Sequence, residues 1–296
     1  MTHPTDSKLL HRGIEILVRL ARRQGIRLRQ SYLRVAKKAR REAAKLVYSG
    51  RPRQAERQVR RLRAWLGRLF RDIGRKIAGD EQAMAAFAGP LGLIGRLLRQ
   101  RREDRGRDKL YSLHAPEVEC IGKGKAQVRF GFGVKVSLAT TNAVAPGGQF
   151  VLGARSLPGN PYDGHTLAAG IAQAERVTGV EVERAYVDRG YRGHDADQAH
   201  VVLSGQKRGV TPTIRRERRR RIAIEPVIGH LKSDGLLGRN FLLGTEGDAA
   251  NLVLAAAGHN LRLLRAWLAW LLACLLSLLT SAHQVGEGRL PRPSAA

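Results

Sequence analysis

Apolar residues recur at helical spacing through the first third of the chain. Leu10, Ile14 and Leu17 lie on one face of a predicted first helix, which Gly25 is expected to end. A second helix is predicted from Tyr32 to Tyr48, where small and apolar residues again share a face. The pattern therefore predicts that this part of the chain is helical.

A third predicted helix separates apolar from basic residues. Its apolar stripe is formed by Leu62, Leu66, Leu69, Ile73 and Ile77. Its other side carries Arg57, Arg60, Arg61, Arg63, Arg68, Arg71 and Arg75. Such a face either contacts DNA phosphates or is simply solvated, and the pattern leaves both interpretations open. Arg60, Arg63 and Arg71 are its candidate DNA-binding residues.

Two features are expected to mark the end of the basic helical segment, which we assign to residues 1–108. Gly89-Pro90 is predicted to break the run before a short helix at 91–99, because proline disrupts a helix interior. The polar stretch REDRGRD that follows is typical of a linker.

Alternation replaces the helical period after about residue 109. The stretch VRFGFGVKVSLATT (128–141) predicts one strand and FVLGARSL a second, with NAVAPGGQ as the turn of a hairpin. A helix is predicted over 167–179, with Asp163 or Thr166 as its cap. VERAYVD and HVVLSG then predict two further strands. This order predicts an α/β fold whose sheet has mixed strand directions.

Asp188 is the first candidate for chemistry, because it ends a predicted buried strand in a chain where acids are scarce. Open α/β sheets bind ligands at the carboxyl ends of their strands. Gly190 and Gly193 would let the backbone approach a ligand closely, and Arg189 and Arg192 are suited to phosphate. The alternative is an aspartate that only stabilises a turn.

RRRRIAIEPVIGHLKSDG, residues 218–235, is the second candidate stretch. A continuous helix would carry Arg221, Glu225 and Lys232 on nearly the same face. A carboxylate between two cations is suited to hold a metal beside bound phosphates. The alternative is a run of ordinary helical ion pairs, each worth about 0.3–0.5 kcal/mol. Pro226 requires Glu225 to lie near the first turn of its helix.

The net charge of the chain indicates which class of molecule it binds. Lys and Arg number 53 against 25 Asp and Glu, which gives a net charge of +28. Such a chain is attracted to polyanions, and nucleic acid is favoured over an anionic membrane. A purely solvated set of arginines is the alternative. Cys120 and Cys274 provide neither a disulfide framework nor a zinc spacing, which fits a reducing cytosol.

One apolar run bears on location. The chain opens with the polar stretch MTHPTDSKLL, which is not typical of a signal peptide. AWLAWLLACLLSLL at 266–279 has 14 residues, fewer than the roughly 20 that span a bilayer. The sequence therefore predicts a buried or partner-packed C-terminal helix and tail over 261–296. It also predicts a soluble, cytoplasmic protein with no membrane partner.

The stretches around both candidate sites resemble a known family. The chain is similar to the DDE transposases of bacterial insertion sequences, in the insertion sequence five group. The matching stretches are PTDSKLLHRGIEILV, YSLHAPEVECIGKGKAQVRFGFGVKVSLATT, LPGNPYDGHTL, RAYVDRGYRGHD and RRRIAIEPVIGHLKSDGLLGRNFLLGTEGDAANLVLAAAGHNLR. The resemblance implies an RNase H-like core with a mixed sheet over 109–260, the basic helical segment as an insertion, and cut-and-join chemistry on transposon DNA.

Family roles follow residue by residue from this resemblance. Asp188 and Glu225 match the second and third acids of the DDE triad, which implies that both bind Mg²⁺ or Mn²⁺. Arg221 and Lys232 match the basic residues of the signature around that glutamate and would bind DNA. The family has a tyrosine three residues before the arginine, whereas this chain has Arg218. The implied partners are transposon ends and target DNA, and a nucleoid-associated homodimer on DNA is compatible with the family.

The family's first acid lies on a strand upstream of the PTDSKLL-like stretch. Because this chain begins MTHPTDSKLL, that strand and its acid are expected to be missing from an N-terminally truncated fold. Two-metal cleavage needs a bridging carboxylate and a terminal one for each ion. We therefore expect cleavage to be impaired or inactive. One alternative is a non-catalytic DNA-binding remnant that competes for transposon ends; another is a metal hydrolase using Asp163, His165, Asp188 and His194.

Overall fold

The computed structural model describes residues 4–101, 103–104, 109–123, 129–143 and 148–287. The chain divides into two compact units, Met1–Lys135 and Val136–Ala296. We call the first the helical unit and the second the α/β unit. The predicted boundaries after residues 108 and 260 remain predictions, as does the assignment of the helical segment as an insertion. Most of the predicted linker REDRGRD lies outside the described residues.

Four helices build the helical unit. They are α1 (Asp6–Arg23), α2 (Leu33–Tyr48), α3 (Pro52–Ile77) and α4 (Glu81–Arg99). Thr5 caps α1 by accepting the Lys8 N–H, and Asp80 caps α4 by accepting the Ala83 N–H. Gly25 follows α1 with a φ of 67°, a left-handed conformation that glycine adopts at little cost. The first three predicted helices and the glycine stop are confirmed.

The apolar stripes of these helices meet in one core. Its fully buried side chains include Leu10, Ile14, Leu17, Leu62, Leu66, Leu69, Ile73, Phe87, Ile94 and Leu97. Burying each such side chain is worth about 1.5–3 kcal/mol. Helical periodicity identified the core correctly because each stripe faces the others.

The predicted break at Gly89-Pro90 is wrong. Helix α4 continues through Pro90, although the proline has no N–H for the helical ladder. Phe87 lies before Pro90 and Ile94 and Leu97 lie after it, and all three are buried in the same core. Tertiary packing on both sides therefore outweighs the local cost of the proline.

The single strand predicted over 128–141 is also wrong. Two strands occupy it, β2 (Phe130–Gly133) and β3 (Lys135–Thr140), and β2 pairs antiparallel with an unpredicted strand, β1 (Glu119–Gly122). Gly133 has a φ of 151°, which glycine reaches far more readily than other residues. The backbone therefore leaves the first pairing at Gly133.

The α/β unit contains two further strand pairs. Strand β3 pairs with β4 (Val151–Leu157), as the predicted hairpin requires. After α5 (Leu167–Thr178), strands β5 (Arg184–Val187) and β6 (His200–Leu203) pair in parallel. The α/β class is confirmed at this coarse level. In the described part of the chain the strands form three two-stranded sheets rather than one mixed sheet.

Three helices complete the α/β unit. They are α6 (Pro212–Arg220), α7 (Ile224–Ser233) and α8 (Gly244–Glu287), and a 3₁₀ turn, Arg221–Ala223, joins the first two. Leu231 and Val227 of α7 pack with Val151 of β4 and with Ala255 and Ala256 of α8. Among the described residues of the unit, this cluster forms one of two small cores. It fixes α7, and with it the second candidate stretch, against β4.

Helix α8 differs from the predicted C-terminal helix. Its first half packs on β4, where the Asn260 amide donates to the Val151 carbonyl (2.8 Å) and accepts the Val151 N–H (2.9 Å). Beyond that point Leu268, Trp270 and Leu272 are more than half exposed, so this half of α8 is not buried within the chain, and packing against a partner remains a prediction. Its Gly244–Thr280 segment is long and apolar enough to cross a membrane, because an 18-residue window within it has a mean hydropathy of 1.9, but core helices of soluble proteins meet the same criterion.

Candidate functional site

Asp188 directly follows β5, as the sequence predicted. A 3₁₀ turn, Arg189–Tyr191, begins beyond it, and the Tyr191 N–H donates to the Asp188 carbonyl (3.1 Å). The Asp188 side chain is 66% exposed. The carboxylate is therefore open to a ligand at the carboxyl end of its strand.

Arg221 contacts the Asp188 carboxylate through its guanidinium group. The Arg221 side chain is only 17% exposed, which fixes its direction. It belongs to the 3₁₀ turn between α6 and α7. Two separate stretches of sequence thus meet in a charge-assisted pair of the kind that is stronger than a neutral hydrogen bond.

Tyr191 and Asp163 lie beside this pair, and we call the four residues the Asp188 cluster. Burial raises the pKa of Tyr191; a hydrogen bond with Ser137 opposes this, while the nearby carboxylates of Asp163 and Asp188 add to it. A Cβ atom built on Gly190 would lie 3.0 Å from the Asp163 Oδ2 atom. The cluster therefore combines two acids, a phenol and a guanidinium.

Asp195 connects the two loops that carry these acids. Its N–H donates to the Gly164 carbonyl (3.1 Å), and its Oδ1 atom accepts the Ala168 N–H (2.9 Å) at the start of α5. The predicted caps were Asp163 and Thr166. Thr166 occupies the N-cap position, but its hydroxyl donates to the Asp163 carbonyl (2.7 Å) instead of accepting a helical N–H. The sequence missed Asp195 because this cap is distant along the chain.

A second polar group lies on β5 and α6. Glu217, whose side chain is 19% exposed, accepts a hydrogen bond from the Tyr186 hydroxyl and pairs with Arg184 (Nε–Oε2, 3.2 Å). Burial and the Glu217 carboxylate together raise the pKa of Tyr186 to about 12. The Asn142 amide also donates to the Glu217 carbonyl (3.0 Å). Glu217 was overlooked because it stands inside the arginine run RRERRR.

Glu225 lies in the first turn of α7, where Pro226 requires it to be. The 3₁₀ turn Arg221–Ala223 interrupts the predicted continuous helix before Glu225, and Arg221 contacts Asp188 instead. Glu225 and Lys232, seven residues apart within α7, still lie on nearly the same face. Glu225 and Lys232 are both exposed. Across the described ranges, neither side chain forms an ion pair or hydrogen bond, and the structure gives no contact between Glu225 and Asp188.

The candidate arginines differ in what they contact. Arg60 pairs with Glu56 (2.9 Å), and Arg63 donates to the carbonyls of Leu97 (3.1 Å) and Leu98 (2.7 Å). The Arg189 Nε–H donates to the Ser204 carbonyl (3.2 Å). Arg71 and Arg192 are exposed, and within the described ranges neither side chain forms a hydrogen bond or ion pair. Arg63 and Arg189 therefore have structural contacts that compete with DNA.

The candidate acids and histidines do not form a metal centre in this structure. In the part of the chain that the structure describes, no three His, Cys, Asp or Glu side chains form a group suited to bind a metal ion. Asp163, His165, Asp188 and His194, the set expected for a metal hydrolase, do not form such a group. Asp188 faces Arg221 instead. The arrangement does not fit a two-ion centre, which needs a bridging carboxylate and a terminal one for each ion.

Comparison with known proteins gives one short match. A 39-residue segment is 54% identical to an uncharacterized protein, ORF8 in the nfe locus of Rhizobium meliloti. The match covers 13% of this chain and 19% of that protein's length. No protein-family model and no solved structure matches the chain.

Proposed function

We propose that this chain is a DNA-binding protein of the DDE transposase type, with an RNase H-like fold. The observation that carries the proposal is the contact between Arg221 and Asp188. These residues come from the two stretches that most specifically resemble the family, and they lie 33 positions apart in the sequence. Their meeting at the end of β5 supports a shared site for a phosphodiester and the groups that act on it.

The charge of the chain supports DNA as the partner. A net charge of +28 favours a polyanion, and arginine suits the bidentate recognition of phosphate. Transposon ends and target DNA are the proposed substrates, and a homodimer that pairs two ends is the proposed assembly. The proposed location is the cytoplasm, in association with the nucleoid.

We propose that strand cleavage is impaired in this chain while DNA binding is retained. The family's acids that Asp188 and Glu225 match would bind Mg²⁺ or Mn²⁺. Here Asp188 contacts Arg221, and within the described residues no three His, Cys, Asp or Glu side chains form a group suited to bind a metal ion. This observation favours the second candidate function, a non-catalytic DNA-binding form that competes with an active transposase for transposon ends.

Mn²⁺-dependent nicking of a DNA fragment that bears the element's end tests the proposal. The chain is compared with its Asp188→Asn and Glu225→Gln forms, and Asp197→Asn, an exposed acid outside the site, is the matched control. DNA binding by each form is measured in parallel at several salt concentrations.

We expect salt-sensitive DNA binding by all four forms and no cleavage by any of them. Cleavage that disappears in the Asp188 and Glu225 variants but persists in the control would show an active transposase and contradict impairment. Absence of DNA binding by the unmodified chain would overturn the proposed function altogether.

A further inference from the structure

A basic cleft lies in the helical unit, whereas the residues proposed for catalysis belong to the α/β unit. Its volume is about 450 Å³, and it is lined by Arg29, Tyr32, Arg68, Arg71, Asp72 and Arg75, among others. This volume falls within the range of ordinary ligand sites, about 300–1,000 Å³. We call it the arginine cleft.

Helix α3 provides one wall of the arginine cleft and the α1–α2 connection provides the other. Arg68, Arg71 and Arg75 are spaced at three and seven residues along α3, so they share a face. Arg29 comes from the connection between α1 and α2. Sequence periodicity found the α3 arginines but gave no signal for Arg29.

Buried Asp72 fixes the α1–α2 connection on α3. Its Oδ2 atom accepts the Arg29 N–H (3.2 Å) and a hydrogen bond from the Lys76 ammonium (3.1 Å), which also donates to the Arg27 carbonyl. Burial alone would raise the pKa of Asp72, but the Arg29 N–H, Lys76 and Arg75 hold it below its ordinary value. Asp72 is thus ionised and already engaged.

The four guanidinium groups of the arginine cleft have no such partners. Within the described ranges, the side chains of Arg29, Arg68, Arg71 and Arg75 form no hydrogen bond or ion pair, apart from the electrostatic effect of Arg75 on Asp72. Like charges held together repel unless an anion lies between them. Guanidinium groups match the geometry of phosphate oxygens, so phosphate is the anion that this chemistry favours.

The basic surface continues beyond the arginine cleft. Arg61, Arg68 and Arg75 recur every seven residues and so follow one side of α3 for about 21 Å. Arg61 also lies over the Trp65 ring (5.4 Å), which stacks on Tyr32 at the edge of the cleft (5.9 Å between ring centroids). An extended track of this kind suits a polymer of phosphates better than a single nucleotide.

We propose that the arginine cleft binds backbone phosphates of DNA, an inference that rests on the DNA binding proposed above and deepens it. The cleft anchors one phosphate group, and the track along α3 contacts its neighbours on the same strand. Because these contacts are to the backbone, they add affinity without reading the base sequence.

The test measures the salt dependence of binding to a labelled DNA duplex by fluorescence anisotropy. One triple variant removes cleft charges: Arg29→Gln, Arg68→Gln and Arg75→Gln. The matched control removes three exposed arginines of α1: Arg19→Gln, Arg22→Gln and Arg23→Gln. Thermal unfolding of each variant checks that the helical unit is intact, and a lysine version of the cleft variant tests geometry at constant charge.

We expect the slope of log affinity against log salt to fall by about 0.9 for each phosphate that the cleft variant no longer neutralises, and to change less in the control. The lysine version should recover the slope but not the full affinity. Equal changes in the two triple variants, or no change in the cleft variant, would overturn the proposal.

A second arm distinguishes DNA from free phosphate. Inorganic phosphate is titrated against the folded chain, with chloride at matched ionic strength as the control. Cleft-dependent binding of inorganic phosphate without cleft-dependent DNA binding would overturn the assignment to DNA. DNA binding by the unmodified chain tests the proposed function, whereas the difference between the two triple variants tests the arginine cleft. A chain that binds DNA without using the cleft would therefore overturn the cleft proposal alone.

Discussion

At the scale of single residues, the structure explains which charged groups the sequence could identify. Asp188 was recognisable because a scarce acid ends an apolar strand, and Glu225 because it stands at helical spacing from Arg221 and Lys232. Arg221 was predicted to lie on the same face as Glu225, but a 3₁₀ turn directs it to Asp188. Glu217 was not recognisable, because its partner Tyr186 lies 31 residues away on β5.

Tyr186 provides a prediction on pH dependence. Its pKa is raised from 10.0 to about 12, so the neutral phenol is favoured in the folded state. The corresponding stabilisation is fully present below pH 10 and is lost as the pH rises through about 12. The difference in phenolate absorbance between the chain and its Tyr186→Phe variant gives this pKa.

Glu217→Gln is the control for that titration. Replacing the carboxylate with a neutral amide removes the Coulombic effect of Glu217 on the Tyr186 pKa and weakens the hydrogen bond, while burial remains. The phenol should then titrate at lower pH. A pKa unchanged by Glu217→Gln would show that the Tyr186–Glu217 hydrogen bond is not formed in solution.

At the scale of elements, amphipathic periodicity predicted α1, α2 and α3 because their stripes meet one another in the core. It failed at Pro90, where local chemistry was outweighed by buried neighbours on both sides. The periodicity also failed at Gly133. The apolar alternation continues from β2 into β3, although β2 pairs with β1 and β3 pairs with β4. A short stretch of sequence carries no information on which distant residues it packs against or pairs with. These element boundaries were missed for that reason.

Arg63 links two of these elements, and its substitution should affect stability more than DNA binding. Its guanidinium donates to the carbonyls of Leu97 and Leu98 in the last turn of α4, which lack helical N–H partners. Hydrogen bonds to a charged donor contribute about 1.5–3 kcal/mol. We expect Arg63→Ala to lower the free energy of unfolding by about that amount, measured by urea denaturation.

Arg60→Ala is the matched control, because within the described ranges the Arg60 side chain pairs with Glu56 alone, on the exposed side of α3. A surface pair at this spacing is worth about 0.3–0.5 kcal/mol. If the two variants had equal unfolding free energies, the proposed role of Arg63 at the end of α4 would be wrong.

At the scale of the whole molecule, two surface properties stand out: a net charge of +28 and the apolar second half of α8. The sequence predicted the charge and its consequence for partners. It left open whether the leucines of α8 would be buried within the chain or available to a partner, because an apolar run alone does not reveal whether the chain provides a surface to cover it. Exposed apolar surface of this extent marks a site of interaction or aggregation.

We expect α8 to cause self-association in detergent-free buffer. Leu268→Glu, Leu272→Glu and Leu275→Glu together should reduce the sedimentation coefficient toward that of a single chain. The three positions are 59%, 58% and 57% exposed, so the unfolding free energy should change little. By contrast, Leu252→Glu, at a fully buried position of the same helix, should unfold the α/β unit. Undiminished association of the triple variant would contradict this expectation.

The nicking assay on the unmodified chain, with Mn²⁺ and a DNA fragment that bears the element's end, tests most directly whether this chain binds DNA without cleaving it. We predict salt-sensitive DNA binding without strand cleavage, because Asp188 is engaged by Arg221 and no three acidic, His or Cys side chains among the described residues form a group suited to bind a metal ion. Cleavage that requires both Asp188 and Glu225 would contradict it and would show that a complete centre forms on DNA.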